Sequence, residues 1–149
     1  MLLCDGAQEV GGKLYILGGG FSIIQAVPGA IMNLALAVKI EIPWDQTNRK
    51  FKINAALMTA DGEQVDFGTG PVGAEGEFEV GRPPGIKPGS DIGVPLALPF
   101  AGLQLPLGGY RWEFSVNGTV EATTAFRVQP APGFAEEHFN EEQGEHHDH

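Results

Sequence analysis

Histidine, the side chain that moves protons most readily near neutral pH, occurs only at positions 138, 146, 147 and 149 of a 149-residue chain. The first 137 residues therefore hold no Ser–His or Cys–His nucleophile pair. The one cysteine, Cys4, excludes an intramolecular disulfide and a Cys-based zinc site, and reads as a small buried hydrophobe. Carboxylates are left as candidate acids, bases and metal ligands: Asp45, Asp61, Glu63, Asp66 and Asp91 lie in or beside turns. Their spacing is that of neither a glycosidase pair nor an aspartic dyad, and Asp61-Gly62-Glu63 is natural turn sequence, so solvated turns outweigh a calcium site. These residues predict a protein that is not an enzyme, with no cofactor and no metal.

The densest set of functional groups is Pro43-Trp44-Asp45-Gln46-Thr47-Asn48-Arg49-Lys50. In a packing reading, Trp44 closes the end of the core with its indole N–H on a carbonyl, and Asp45 accepts a backbone N–H two residues on. In a binding reading, Trp44, Asp45, Asn48, Arg49 and Lys50 stand out from the end of a rigid frame to meet a partner. The exposure of Trp44 separates the two.

That loop joins two alternating strands. Leu34, Leu36, Val38, Ile40 and Ile42 share one face up to Pro43, with Lys39 and Glu41 opposite; after the loop come Phe51, Ile53, Ala55 and Leu57. Val65 and Phe67 match the latter face across a three-residue loop ending at Gly62. Further on, Tyr110, Trp112, Phe114 and Val116 face one way, and Val120, Ala122, Thr124, Phe126 and Val128 repeat the pattern after Asn117-Gly118. A three-residue turn with Gly118 in a left-handed bulge keeps apolar opposite apolar there. Shorter strands are expected at 1–4, 13–18, 21–25, 75–80 and 92–98, the last at a sheet edge or with a bulge because Pro95 removes a ladder donor. Gly18-Gly19-Gly20 has no following helix and reads as a bulge or a strand switching sheets, not a phosphate cradle. Residues 81–91, GRPPGIKPGSD, form a stiff connection.

Composition agrees with this pattern. Gly and Pro total 33 and punctuate apolar runs, while Leu, Ile, Val and Phe number 40, enough for a real core. The expected fold is an all-β, immunoglobulin-like sandwich of about 8–10 antiparallel strands over residues 1–130, followed by a disordered acidic, His-rich tail at 131–149. Of 19 acidic residues six fall in the tail, which has no Lys or Arg, and the nine basic residues leave the domain mildly acidic. No basic stripe exists to neutralise phosphates or meet anionic lipid, so neither nucleic acid nor membrane is expected as a partner. With no 18-residue apolar run and no signal-peptide pattern at Met1-Leu2-Leu3-Cys4, the chain reads as cytoplasmic. In the tail, Phe134 and Phe139 would share one face of a helix over 134–143 formed on a partner, and His146, His147 and His149 would hold a metal only weakly and without biological meaning.

The segments LLCDGAQ, GKLYILGGG (12–20), PWDQTN (43–48), TADGEQV (59–65), EVGRPPG (79–85) and GGYRWEF (108–114) together resemble a family of small bacterial proteins catalogued as a domain of unknown function, over roughly residues 2–128. That resemblance implies a β-sandwich and no established chemistry. The expected function is a non-enzymatic protein-interaction module or accessory subunit; the alternative is a small-ligand or carbohydrate-binding sandwich, signalled by a pocket lined by Trp44 or Tyr110 with Asn or Asp groups. Simple alternation of strand direction from residue 32 onward would also bring the acidic tail beside Arg49 and Lys50, where it would mask the 43–50 loop.

Overall fold

In the computed structural model, which describes residues 1–134 and 139, nine strands form two sheets. One sheet has the order β2-β1-β4-β7: Lys13–Gly19, Leu2–Val10, Met32–Ile42 and Ile92–Leu103. The other has the order β3-β9-β8-β5-β6: Ile23–Ala26, Thr119–Pro130, Gly108–Val116, Lys50–Thr59 and Gly73–Glu79. All neighbours are antiparallel except β3 and β9, whose parallel pairing corrects the expectation of antiparallel strands throughout. β7 is an edge strand, as Pro95 requires.

The inward faces are those the alternation marks. Leu34, Leu36 and Val38 of β4 are buried with Leu57 of β5, Tyr110, Trp112 and Phe114 of β8, and Phe126 and Val128 of β9. Phe100 lies 4.4 Å from Trp112 between ring centroids, tying the sheets together. Trp112 Nε1 is buried with no acceptor among the described residues; nothing in the structure explains it. Small residues fill the outer face of the first sheet: Cys4, Ala35 and Ala37 are buried there, with Ala7 and Leu14 packed on them. Cys4 is thus the buried hydrophobe expected, its thiol donating to the Ala35 carbonyl at 3.3 Å.

Three further sequence expectations, which bear on register and on the ends of the sandwich, need correction. The Asn117-Gly118 turn has two residues, both with positive φ (51° and 84°), as in a type I′ turn, so Val116 pairs with Thr119. The register is restored by a bulge further along: between Phe114/Ser115 the pairing shifts, so that Phe114 faces Ala122 and Tyr110 faces Phe126. Apolar does oppose apolar, through a bulge in the strand instead of the turn. The 60–62 loop, in contrast, has the expected length, with Gly62 at φ 86° and its N–H on the Thr59 carbonyl. The strand after it is the second correction. Residues 64–71 contribute only isolated bridges, Met58 with Gln64 and Asp66 with Pro71, and Phe67 is 45% exposed. Asp66 folds the segment into a turn by accepting the N–H groups of Gly68 at 2.7 Å and Gly70 at 3.3 Å.

Losing that strand changes the parity of everything after it, which is the third correction. Ile42 pairs with Ile92, Lys50 with Glu79 and Ile53 with Val116, which gathers loops 43–49, 80–91 and 117–118 at one end of the sandwich. Thr59 pairs with Tyr110 and Gly108 with Val128, so the chain leaves β9 at the opposite end. The end of β9 and the Trp44 loop are therefore not neighbours, which removes the premise of the expected masking; the acidic tail residues themselves lie outside the described residues.

Candidate functional site

The Trp44 end is built on a small apolar cluster of its own. Ile42, Phe51, Val80 and Ile92 are buried there, with Phe78 and Ile86 packed against them; the Phe51 and Phe78 rings stack at 5.5 Å. These residues end or begin the strands flanking loops 43–49 and 80–91, so both loops spring from fixed points. Pro43 stops β4, and the Gln46 N–H donates to its carbonyl at 2.9 Å, closing a 3₁₀ turn at Trp44–Gln46. Thr47 is buried and donates its hydroxyl to the Trp44 carbonyl at 2.9 Å. Asn48 then takes a left-handed conformation (φ 61°) and donates its N–H to the Val80 carbonyl at 2.6 Å, binding the two loops.

Arg82 completes the lock. Its guanidinium carbon lies 4.0 Å from the centroid of the Trp44 ring, Nε donates to Thr47 Oγ1 at 2.9 Å, and Nη2 donates to the Trp44 carbonyl at 3.1 Å. A planar fork that stacks and donates in plane at once is arginine chemistry, which lysine cannot copy. At the third loop of this end, Asn117 exchanges bonds with Lys52: its Oδ1 accepts the Lys52 N–H at 2.9 Å and its own N–H donates to the Lys52 carbonyl at 2.8 Å.

Of the sequence-nominated residues, the structure brings Trp44, Asp45, Asn48, Arg49 and Lys50 to one surface. Trp44 is half-buried and held by Arg82; it is not part of the buried core, and its indole N–H makes no hydrogen bond among the described residues, so it does not close the core as the packing reading requires. Asp45, Asn48, Arg49 and Lys50 are exposed, and the side chains of Asp45, Arg49 and Lys50 make no hydrogen bond or ion pair among the described residues. Lys50 stands across from Glu79 in register without pairing. Residues 43–50 and 79–91 hold four basic side chains (Arg49, Lys50, Arg82, Lys87) and three acidic ones (Asp45, Glu79, Asp91), a net charge of +1 on a chain of −10.

Sequence reasoning missed Arg82 and Thr47. Arg82 lacks a local signal, because its contacts span 38 residues to Trp44 and 35 to Thr47; Thr47 had one, a hydroxyl within reach of a carbonyl three residues earlier.

Phe134 and Phe139 are at the other end. They line a cleft of about 730 Å³ with Pro106, Leu107, Arg127 and Val128, and Phe139, only 8% exposed, belongs to the main core. The weak metal binding expected of His146, His147 and His149, and the helix expected over 134–143 apart from Phe134 and Phe139, fall outside the described residues. A groove of about 570 Å³ beside Tyr110 is lined by Ser22, Ile23, Ala60, Arg111 and Arg127 but by no Asn or Asp. Burial raises the Tyr110 phenol above its ordinary pKa, and its hydroxyl is already committed, donating to the Pro106 carbonyl at 2.6 Å. Among the described residues no three His, Cys, Asp or Glu side chains converge on a metal position, and no helix is long and apolar enough to cross a membrane.

Comparison with known proteins adds one finding. No curated protein and no solved structure matches the chain. A family model does match, over residues 1–129, and on that span the chain belongs to the family described as "Family of unknown function (DUF6941)".

Proposed function

We propose that this protein is a non-enzymatic protein-interaction module, an immunoglobulin-like sandwich that presents the Trp44 end to an acidic surface of a protein partner. The observation that carries the reading is the Arg82 lock. It fixes the backbone of the loop, which lowers the ordering cost of binding there, while leaving the side chains of Asp45, Arg49 and Lys50 without an internal polar role and so available to a partner. Net positive charge at this end, on an otherwise acidic chain, favours an acidic partner and faster encounter with it. The half-buried, rigidly stacked Trp44 supplies the kind of aromatic anchor around which interface energy concentrates.

Three features support the immunoglobulin-like part. The last strand is flanked by a short parallel strand near the N-terminus, β5 lies between β6 and β8 as in the second sheet of such folds, and Tyr110 at the start of β8 donates back to the carbonyl four residues upstream, as a tyrosine corner does. Trp112, two residues on, is buried where antibody domains place a cysteine.

The test is affinity purification of the tagged full chain from its own cell, in parallel with the Trp44→Ala and Arg49→Glu variants. A partner recovered by the wild type and lost from both variants, with thermal midpoints within a few degrees of wild type, supports the reading. Equal recovery by all three refutes it.

A further inference from the structure

Four strand edges end the two sheets, and three of them are blunted. β7 carries Pro95 and Pro99, which have no N–H to offer; β6 carries Glu75, Glu77 and Glu79; β3 is only four residues long. The fourth edge, β2, has none of these devices. Its sequence, KLYILGG, bears a single charge, Lys13, and leaves Tyr15, Ile16 and Leu17 exposed to 57%, 44% and 75%. An edge that is both hydrogen-bond-competent and apolar on its two faces is the form a sheet takes when another strand is to be added.

The register of the hairpin says which backbone groups are available. Gly11 and Gly12 both have positive φ (59° and 79°), the type I′ geometry that makes Val10–Lys13 a hydrogen-bonded pair. Alternation then turns the N–H and C=O of Tyr15 and Leu17 toward β1, and those of Leu14 and Ile16 outward to the free edge. Apart from Lys13 and Leu17, the segment is also symmetric about Tyr15. Leu14 and Ile16 flank it, Lys13 and Leu17 flank those, and Gly12 and Gly18, both with positive φ, bound the run.

We propose that β2 pairs antiparallel with β2 of a second copy of this chain, about a two-fold axis through Tyr15. Leu14 of each copy lies opposite Ile16 of the other, so the four outward N–H groups meet the four outward carbonyls; Tyr15 meets Tyr15, and Lys13 meets the exposed Leu17. The two four-stranded sheets become one of eight strands. Charge permits the arrangement. The only charge on β2 lies two residues from the axis, so the two Lys13 Cα positions stand roughly 13 Å apart along the strands at about 3.3 Å per residue, beyond the screening length of about 8 Å at physiological salt. A run of five residues per copy is a small interface, which puts the pairing in the weak, reversible class. Each chain carries −10, so salt strengthens the pairing by screening repulsion between the bodies.

Sedimentation equilibrium of the full chain up to about 0.5 mM, at low and moderate salt, tests this, using Tyr15→Lys and Tyr15→Glu chains alone and mixed; because Tyr15 is exposed, both retain the wild-type circular dichroism and thermal midpoint. The expected result is a wild-type mass rising from 15.8 kDa toward twice that value, a loss of about tenfold or more in association for each variant alone, and recovery when they are mixed, since only self-pairing at Tyr15 places the lysine against the glutamate. A wild type that stays monomeric leaves the edge for a strand of some other protein and overturns the proposal. So does a dimer that either variant leaves unchanged, or that mixing fails to restore.

Discussion

Arg82 acts on the Trp44 loop through a stack and two hydrogen bonds, none of which reaches the main core. Replacing it with alanine therefore costs only about 1 kcal/mol of global stability while freeing the loop locally. Acrylamide quenching reads this directly, because Trp112 is fully buried and any gain in accessible fluorescence belongs to Trp44. Tyr110 makes a second residue-scale prediction. With its pKa raised by burial, the folded chain holds the phenolic proton after the unfolded chain, near pH 10, has released it. Its contribution is thus complete below that pH and is lost as pH rises through the folded value. Tyr110→Phe loses about 1 kcal/mol at pH 7 with the Pro106 bond, and its stability falls less than that of wild type above about pH 10 in urea melts. The fall that remains belongs in part to Cys4, whose thiol burial and, secondarily, the Asp5 charge push up in the same direction. Trp44 and its loop neighbours were legible in the sequence because their chemistry is local. Arg82 was not, since nothing in GRPPG names a tryptophan 38 positions earlier.

At the scale of the element, strands were legible wherever one face is buried. β4, β8 and β9 alternate because their inward residues fill the core. β1 was expected to end at residue 4 but runs to Val10, and the reason is physical: residues 5–10 are exposed or half-buried, so they carry no apolar alternation to read. The Asn117-Gly118 register was misjudged because a two-residue turn with a bulge and a three-residue turn give the same apolar pairing, and only Asn117 at φ 51° distinguishes them. Asn117 is well suited to that conformation and its Oδ1 also binds Lys52, so Asn117→Ala should cost about 1–2 kcal/mol, while Asn117→Gly, which keeps the turn and loses only the side-chain bond, costs less. Denaturant midpoints of the two variants, at equal slope, check the order.

For the whole molecule, the strand count placed the tail on the wrong end because a single short segment, 64–71, decides the parity of all later strands. Phe139 follows from the corrected geometry: outside the span matched by the family model, it still belongs to the main core. Phe139→Ala should therefore destabilise the full chain by about 2–4 kcal/mol, whereas a solvated tail residue would give almost nothing, and a thermal melt separates these outcomes. The central claim is that the positively charged Trp44 end is the binding surface. Its most direct measurement is the affinity of the recovered partner for wild type, Trp44→Ala, Arg49→Glu and Phe134→Ala at two salt concentrations. The account predicts losses of about tenfold or more for the first two variants, larger at low salt for Arg49→Glu, and no change for Phe134→Ala. Unchanged binding by Trp44→Ala and Arg49→Glu, with a loss on Phe134→Ala, would place the surface at the opposite end and contradict it.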